Sequence, residues 1–492
     1  MAGFNFDNYI KAQTDLIVKR SKKFSKLYLE FGGKLFDDNH AARVLPGYDA
    51  NGKISLLKRL KDKVEVLMCI NAKDIQANKI RADLGITYDL DCLRLIDSIR
   101  AKGILVSGII ITQYTGQPAA DSFRKRLKRR GEKVYTYQLI QGYPTNIDLI
   151  VSSNGYGANP FIETIKPIVV LTGPGPGSGK MAAALCQMYH EYKRGNKAGF
   201  AKFETFPVWN LQLSHPVNLA YEAATADLGD INSFDPFHLE AYGEIAVNYN
   251  RDIEVFPIVK NILYKITGGE KVYQSPTDMG VNTVGDFIDD EVVVKEAAKQ
   301  EIVRRYYKTK CDYREGRVEL SAVERIEIIM KKLGIDELYG KAVAPALEKA
   351  KLSKSQAVAL VLKDGKVVTG RATEVLGAAA SLVLNCVKIL AGIPDDIHLI
   401  SPNVIRPMQA LKEQILCQKD KLLGLEDVLN ALSICAATDP GAEKCLKKLH
   451  DLKGCVAHSS HMLKTQDELA LKKLGIVITC TPEFASADLY TG

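Results

Sequence analysis

Residues 166–192 read KPIVVLTGPGPGSGKMAAALCQMYHEY. An apolar, β-branched run enters a loop carrying Gly173, Gly175, Gly177 and Gly179, meets Lys180, and leaves through a segment of helix formers. Strand, glycine loop, lysine and helix follow one another in the order that phosphate binding requires. Glycines let backbone N–H groups turn inward and approach an anion closely, and the helix N-terminus adds a partial positive charge. A lysine at that point neutralises a further phosphate oxygen. Gly173, Gly175, Gly177, Ser178, Gly179 and Lys180 are therefore the candidate cofactor-binding residues. The match to a P-loop is imperfect. Counting back from Gly179-Lys180, Pro174 stands where glycine belongs, Met181 replaces the hydroxyl residue that normally holds magnesium, and Pro174 and Pro176 lack N–H donors. The competing reading is a Gly-Pro-rich connection with no ligand.

Outward from this loop, short β-branched runs alternate with amphipathic segments from Lys63 to about Lys271. Strands are expected at 64–70, 104–114, 132–140, 147–154, 166–173 and 202–209, with a helix over 118–130. Near-continuous apolar strands separated by helices imply a parallel sheet covered on both faces, with ligands bound beyond the strands' carboxyl ends. From about Gly280 to Lys351 the strand signal gives way to charged, helix-periodic sequence. Near Leu352 an α/β pattern resumes. Asp364-Gly365 between two apolar runs predicts a hairpin, a helix follows over 374–391, and DIHLIS (396–401) and KKLGIVITCTP read as strands. The expected fold is a multidomain α/β protein: a P-loop- or Rossmann-like domain over 1–275, a helical segment over 276–351, and a smaller α/β subdomain over 352–492.

Composition agrees with this class. The chain has 492 residues, 46% apolar and 25% charged, which is ordinary globular material and, at about 150 residues per domain, about three domains. Its net charge of +8 is the small difference of 66 basic and 58 acidic side chains and is no nucleic-acid signature. The basic run RKRLKRRGEK (124–133) reads as a solvated helix face. The N-terminus lacks the apolar core of a signal peptide, and the greasiest stretch, Val375 to Ile393, is broken by Asn385 and Lys388. Ten cysteines without a CxxC pair argue against a zinc site and a disulfide framework. A cytoplasmic protein without a membrane span is expected, and apolar helical faces point to a homo-oligomer.

Chemistry-bearing residues also gather elsewhere. EFGGKLFDDNHAARVLPGYD (30–49) places Asp37, Asp38, His40 and Arg43 just after Gly32-Gly33-Lys34, and we take these four, with Asp235, as catalytic candidates. The alternative for 30–49 is a polar surface turn. Glu204, Asp227, Asp230 and Asp235 are the carboxylates available to magnesium, and the polar stretch 215–238 reads equally as a functional loop or a solvated connection. QYTGQP (113–118) and SSNGYGANP (152–160) sit at expected strand ends and are expected to line the same crevice. His458 and His461, beside Ser459 and Ser460, have metal-ligand spacing but no third ligand, so a hydrogen-bonding role is favoured and no metal site is expected. HExxH and GxSxG motifs are absent from the sequence.

At TGPGPGSGKMAAALCQMYHE, with EFGGKLFDDNHAARVLPG before it and LGIVITCTPEF after it, the sequence resembles a bacterial family of similar length. This is the uncharacterised family carrying domain of unknown function number 1846. The resemblance spans essentially the whole chain. It implies a P-loop-like or Rossmann-like N-terminal part, a helical middle and an α/β C-terminal subdomain, with no established reaction. The label "ATP-dependent peptidase" attached to some members gains no support from these motifs. VALVLKDGKVVTGRATEVLGAAASLVLNC is also similar to the opening of a cytidine-deaminase layout, without the zinc-binding motifs of that chemistry. The function expected is binding of a nucleotide or another phosphorylated small molecule, ATP with magnesium first, and phosphoryl or nucleotidyl transfer. The alternatives are an enzyme acting on a phosphorylated metabolite without ATP turnover, and a non-catalytic nucleotide-sensing or assembly protein.

Overall fold

The strand signals of the N-terminal half resolve into a parallel sheet in the computed structural model, which describes residues 2–81 and 84–486. Two compact units make up the chain: Met1–Thr225 with Asp230–Ala298, and Ala226–Gly229 with Lys299–Gly492. Residues 276–351 contribute to both. Among the described residues, six strands of the first unit form its main sheet: β1 Lys26–Phe31, β2 Val64–Asn71, β3 Leu105–Thr112, β4 Val134–Thr136, β5 Ile168–Thr172 and β6 Ala198–Phe203. Their order is β4-β3-β2-β5-β1-β6, and every pairing is parallel.

All eight residues of β2 and all five of β5 are buried, which is why these strands read as continuous apolar runs instead of alternating ones. On one face, Tyr28, Leu67, Ile110, Leu171 and Phe200 pack under helix α5 (Lys180–Lys193) and helix α6 (Asn250–Ile266). Helix α1 (Phe6–Ser21) and helix α3 (Tyr88–Arg100) also pack on the strands; helix α2 (Asn39–Val44) is short. Helix α4 (Pro118–Arg129) buries Ala120, Phe123 and Leu127 and turns its basic residues outward. Because β5 is inserted between β1 and β2, the loops following these three strands open side by side.

Several sequence expectations need correction. β1, KLYLEF, was hidden because Lys26 and Glu30 interrupt its apolar run, yet it lies beside β5 at the centre of the sheet. Residues 147–154 form a helical turn, Ile147–Ile150, in place of a strand, because the Asn146 carboxamide accepts the Leu149 N–H and caps it. The strand expected over 132–140 shortens to β4. That over 202–209 moves back to β6, leaving Glu204 to Trp209 as the outgoing loop.

In the second unit a mixed sheet holds, among the described residues, β7 Ala357–Val361, β8 Val367–Arg371, β9 Val456–Ser459 and β10 Val477–Cys480, in the order β8-β7-β9-β10. The Asp364-Gly365 hairpin forms as expected, pairing β7 and β8 antiparallel, with Gly365 at φ +87°. Helix α7 (Glu291–Arg314), α8 (Leu320–Leu333) and α9 (Val343–Ser353) precede the sheet, and α10 (Ala378–Ala391) packs on β7 and β8. DIHLIS is not a strand. Leu399 and Ile400 are buried from a connecting segment whose Ser401 caps the helix Pro402–Ala410. β9 lies within VAHSSHML, the stretch that carries His458, Ser459, Ser460 and His461. Among the described residues, no helix is long and apolar enough to cross a membrane.

Candidate functional site

The Gly-rich loop sits at the carboxyl end of β5 and is tied down from both sides. The Asn71 amide, at the end of β2, donates to the Gly177 carbonyl at 3.1 Å. The Thr112 hydroxyl, at the end of β3, donates to the Ser178 carbonyl at 2.8 Å, and the Ser178 hydroxyl donates to the Gly175 carbonyl at 3.0 Å. The loop's carbonyls are thus turned into the protein. Among the described residues, the N–H groups of Gly175, Gly177, Ser178 and Gly179 make no backbone hydrogen bond. Gly179, at φ +80°, opens α5 in a left-handed conformation, and a Cβ there would strike the Thr112 side chain at 2.8 Å. A Cβ on Gly173 would come closer still to the Cys69 carbonyl, and one on Gly175 to the Tyr88 hydroxyl. Met181, where a P-loop has its hydroxyl, packs against the core beneath α5.

Lys180 begins α5 with its ammonium 3.4 Å from the Ser178 hydroxyl and 3.9 Å from the Glu30 carboxylate. Glu30 is in register with Leu171 of β5 on one side and Lys202 of β6 on the other. Lys202 is buried among acids: its ammonium lies 2.5 Å from Asp252, 3.3 Å from Glu204 and 2.5 Å from the Tyr249 hydroxyl. Tyr249 in turn donates to Glu204 at 2.5 Å. Burial opposes the charge on Lys202, and the carboxylates of Asp252, Glu204 and Glu30 more than restore it, holding its pKa above the ordinary lysine value. Burial raises the pKa of Glu30. Lys180 and Lys202 oppose that rise, while Glu204 and Asp252 reinforce it. Among the described residues, one oxygen of Glu30, Oε2, is buried without a hydrogen-bond partner, as is the hydroxyl of Thr172 at the end of β5. Two cations, three carboxylates and unmet hydrogen-bonding capacity therefore converge beside the loop.

The four candidates of the 37–43 segment lie in the loop and short helix that follow β1. Asp38 caps α2 through the Ala41 N–H and pairs with the buried Lys53 ammonium at 3.1 Å. Burial works against its charge, but Lys53, His40 and the Ala41 amide prevail and depress its pKa. Lys53 also donates to the Gly32 carbonyl at 2.9 Å, so the pair fixes the turn after β1. Asp37 is half-exposed at φ +55°, 3.7 Å from Arg94. The His40 ring lies 5.3 Å from Phe206 and 6.4 Å from Tyr221, and Arg43 is in the last turn of α2. Glu204 joins this segment to the charge cluster, since its side chain fills the space beside Gly32.

Asp235 does not join them. It is buried, and it caps the helix Pro236–Tyr242 through the N–H groups of Phe237 and His238 while accepting from Thr277, so its oxygens are occupied structurally. Asp230 pairs with Arg251 at 3.1 Å, and Asp227 belongs to the second unit. Among the described residues no three or more His, Cys, Asp or Glu side chains are grouped to hold a metal ion. In the second unit, His458 bonds the hydroxyls of Thr479 and Thr481 at 2.8 and 3.0 Å and packs on Tyr307, with burial pushing its pKa down to about 3. Ser460 and His461 share a hydrogen bond of 2.7 Å. Lys202, Asp252 and Tyr249 escaped sequence reading because isolated charges in unrelated segments carry no local motif. Glu30 opens the 30–49 segment that its motif marks, and Lys53 lies just beyond that segment.

The first unit is thus a parallel α/β sheet with a Gly-rich, lysine-bearing loop at its carboxyl edge. The chain belongs to the DUF1846 family, a family of unknown function: the N-terminal domain model of that family matches residues 2–334 and the C-terminal one residues 339–490. Relatives at full length agree. The chain is 54% identical over 496 residues, covering 99% of both sequences, to a UPF0371 protein of Clostridium botulinum strain Langeland. It is 53% identical, with the same coverage, to a UPF0371 protein of strain Alaska E43.

Proposed function

We propose that this protein binds the phosphate of a nucleotide or phosphorylated metabolite at Gly173–Lys180, and that transfer of a phosphoryl or nucleotidyl group is its chemistry. The supporting observation is the loop's hydrogen bonding. Its carbonyls are held by Asn71, Thr112 and Ser178, while the N–H groups of Gly175, Gly177, Ser178 and Gly179 make no backbone hydrogen bond among the described residues. That is the polarity an anion requires. Lys180 would stabilise charge developing on the transferred group. Asp37, Asp38, His40 and Arg43 would form the wall on the β1 side. In this reading the first sheet is P-loop- or Rossmann-like, the second is cytidine-deaminase-like in topology alone, and the protein works in the cytoplasm as a homo-oligomer.

The second reading keeps the anion site without ATP turnover, as an enzyme on a phosphorylated metabolite or as a nucleotide sensor. Met181 favours it, because a thioether packed into the core supplies no magnesium ligand. Thermal shift with nucleotides and sugar phosphates, with and without magnesium, tests both. Ligand at about a hundred times its Kd stabilises by about 2.7 kcal/mol, several degrees for a domain of this size. A shift with ATP that Lys180→Ala removes supports the nucleotide reading, and one with sugar phosphates alone supports the second. A shift indifferent to Lys180→Ala refutes both.

A further inference from the structure

Helix α10 is almost wholly apolar, yet Ser381, Asn385 and Lys388 recur on it at i, i+4 and i+7, a single stripe along one face. Asn385 and Lys388 are the residues that break the greasy run 375–393. In the folded chain this stripe lines a cavity of about 340 Å³ within the second unit. Arg371 of β8, Lys349 of α9 and His398 complete its polar wall, and Leu376, Leu384 and Ile405 supply apolar surface. β8 reaches the stripe closely because Gly370 lies against the backbone of Ser381 and Leu382, where any Cβ would collide.

The charge on this wall is one-sided. Lys349, Arg371 and Lys388 line the cavity, and no Asp or Glu does. Among the described residues none of the three pairs with a carboxylate. Lys388 is only 9% exposed, and among the described residues its one hydrogen bond is to the Asp395 carbonyl at 2.8 Å. Ser381 is equally buried, and among the described residues its hydroxyl has no hydrogen-bond partner. A buried ammonium without a counter-charge and a buried hydroxyl without a bond are each unfavourable alone. Both residues line the cavity, where an anion would meet both needs.

We propose that the second unit carries a small-molecule site of its own, in which Arg371, Lys388 and Lys349 hold the dianionic head of a small organic phosphate and Ser381 hydrogen-bonds to it. Three cations without a carboxylate match a phosphate monoester better than a monocarboxylate. The apolar wall accepts the carbon skeleton, and a volume at the lower end of the ligand-site range fits a metabolite of a few carbons. This site stands independently of the Gly-rich loop.

The test is calorimetric titration of the full chain carrying Lys180→Ala, which removes the loop's ammonium from the comparison. Inorganic phosphate and glycerol 3-phosphate are the probes, with acetate as the carboxylate control. The expected result is one saturable site per chain, tighter for the ester, weakened about tenfold or more by Arg371→Gln and severalfold by Ser381→Ala. Arg371 is exposed, so its variant keeps the fold, checked by an unchanged melting temperature. Absence of saturation at millimolar phosphate and ester overturns the proposal, as does binding that Arg371→Gln leaves unaltered. Acetate binding as tightly as phosphate overturns the ligand class.

Discussion

Replacing Glu30 by glutamine tightens anion binding at the Gly-rich loop if that loop is a phosphate site. The magnitude follows from distance. Glu30 lies 3.9 Å from the Lys180 ammonium, and an oxyanion hydrogen-bonded to the far side of that ammonium adds about 2.8 Å, placing its charge about 6.7 Å from the carboxylate. Between unit charges at that separation the repulsion is about 2.5 kcal/mol at an effective dielectric of about 20, and half that at about 40. Glu30→Gln removes it with little change of shape, and a dianion feels twice this repulsion, so affinity for a dianion rises at least about tenfold where Glu30 is ionised. Sulfate is the suitable titrant because its own charge is constant from mildly acidic to alkaline pH. Burial raises the Glu30 pKa above the ordinary carboxylate value, so lowering the pH protonates it in the wild type and the difference between the two proteins closes. The gain is therefore largest at alkaline pH. Calorimetry of both proteins across pH checks it. Equal sulfate affinity at pH 8.5, or a gap that widens on acidification, refutes the reasoning.

Four further outcomes are expected. Thr112→Val deletes the donor that holds the Ser178 carbonyl and weakens sulfate binding by about fivefold, the equivalent of one hydrogen bond of about 1 kcal/mol, with the fold retained by circular dichroism. Lys53→Met leaves Asp38 buried without its counter-charge and costs about 3–5 kcal/mol in urea unfolding, whereas Lys58→Met, on the exposed side of the helix Gly52–Arg59 that also carries Lys53, costs little. Gly370→Ala drives a Cβ into the backbone of α10 and lowers the melting temperature, while Gly365→Asn, in the open hairpin turn, is tolerated. His458 has a folded pKa of about 3, below its unfolded value of about 6.5, so its neutral form stabilises the fold above pH 6.5 and this contribution is lost as pH falls toward 3. The slope is up to about 1.4 kcal/mol per pH unit, and His458→Gln removes it; an unchanged slope in that variant contradicts the assignment.

The sequence by itself determined the class of fold in the first unit, the place of the Gly-rich loop and the hairpin of the second. These are legible because each is local: β2 and β5 are buried on both faces and read as apolar runs, glycines mark the turn, and Asp-Gly marks the hairpin. It determined the family as well, since the chain matches its relatives from end to end. Tertiary structure decided what sequence spacing does not encode. β1 was concealed by Lys26 and Glu30, two charges in an interior strand, and partners distant in sequence, Lys180 and Lys202, make the burial of Glu30 tolerable. Asp235 passed from candidate acid to helix cap once the N–H groups of Phe237 and His238 and the side chain of Thr277 were seen to occupy it. Asn385 and Lys388, legible only as interruptions of an apolar run, became the wall of a cavity when β8 and α9 brought Arg371 and Lys349 beside them. In each case the deciding quantity is the electrostatic and hydrogen-bonding environment of a buried polar group, which long-range packing supplies and a window of sequence does not contain.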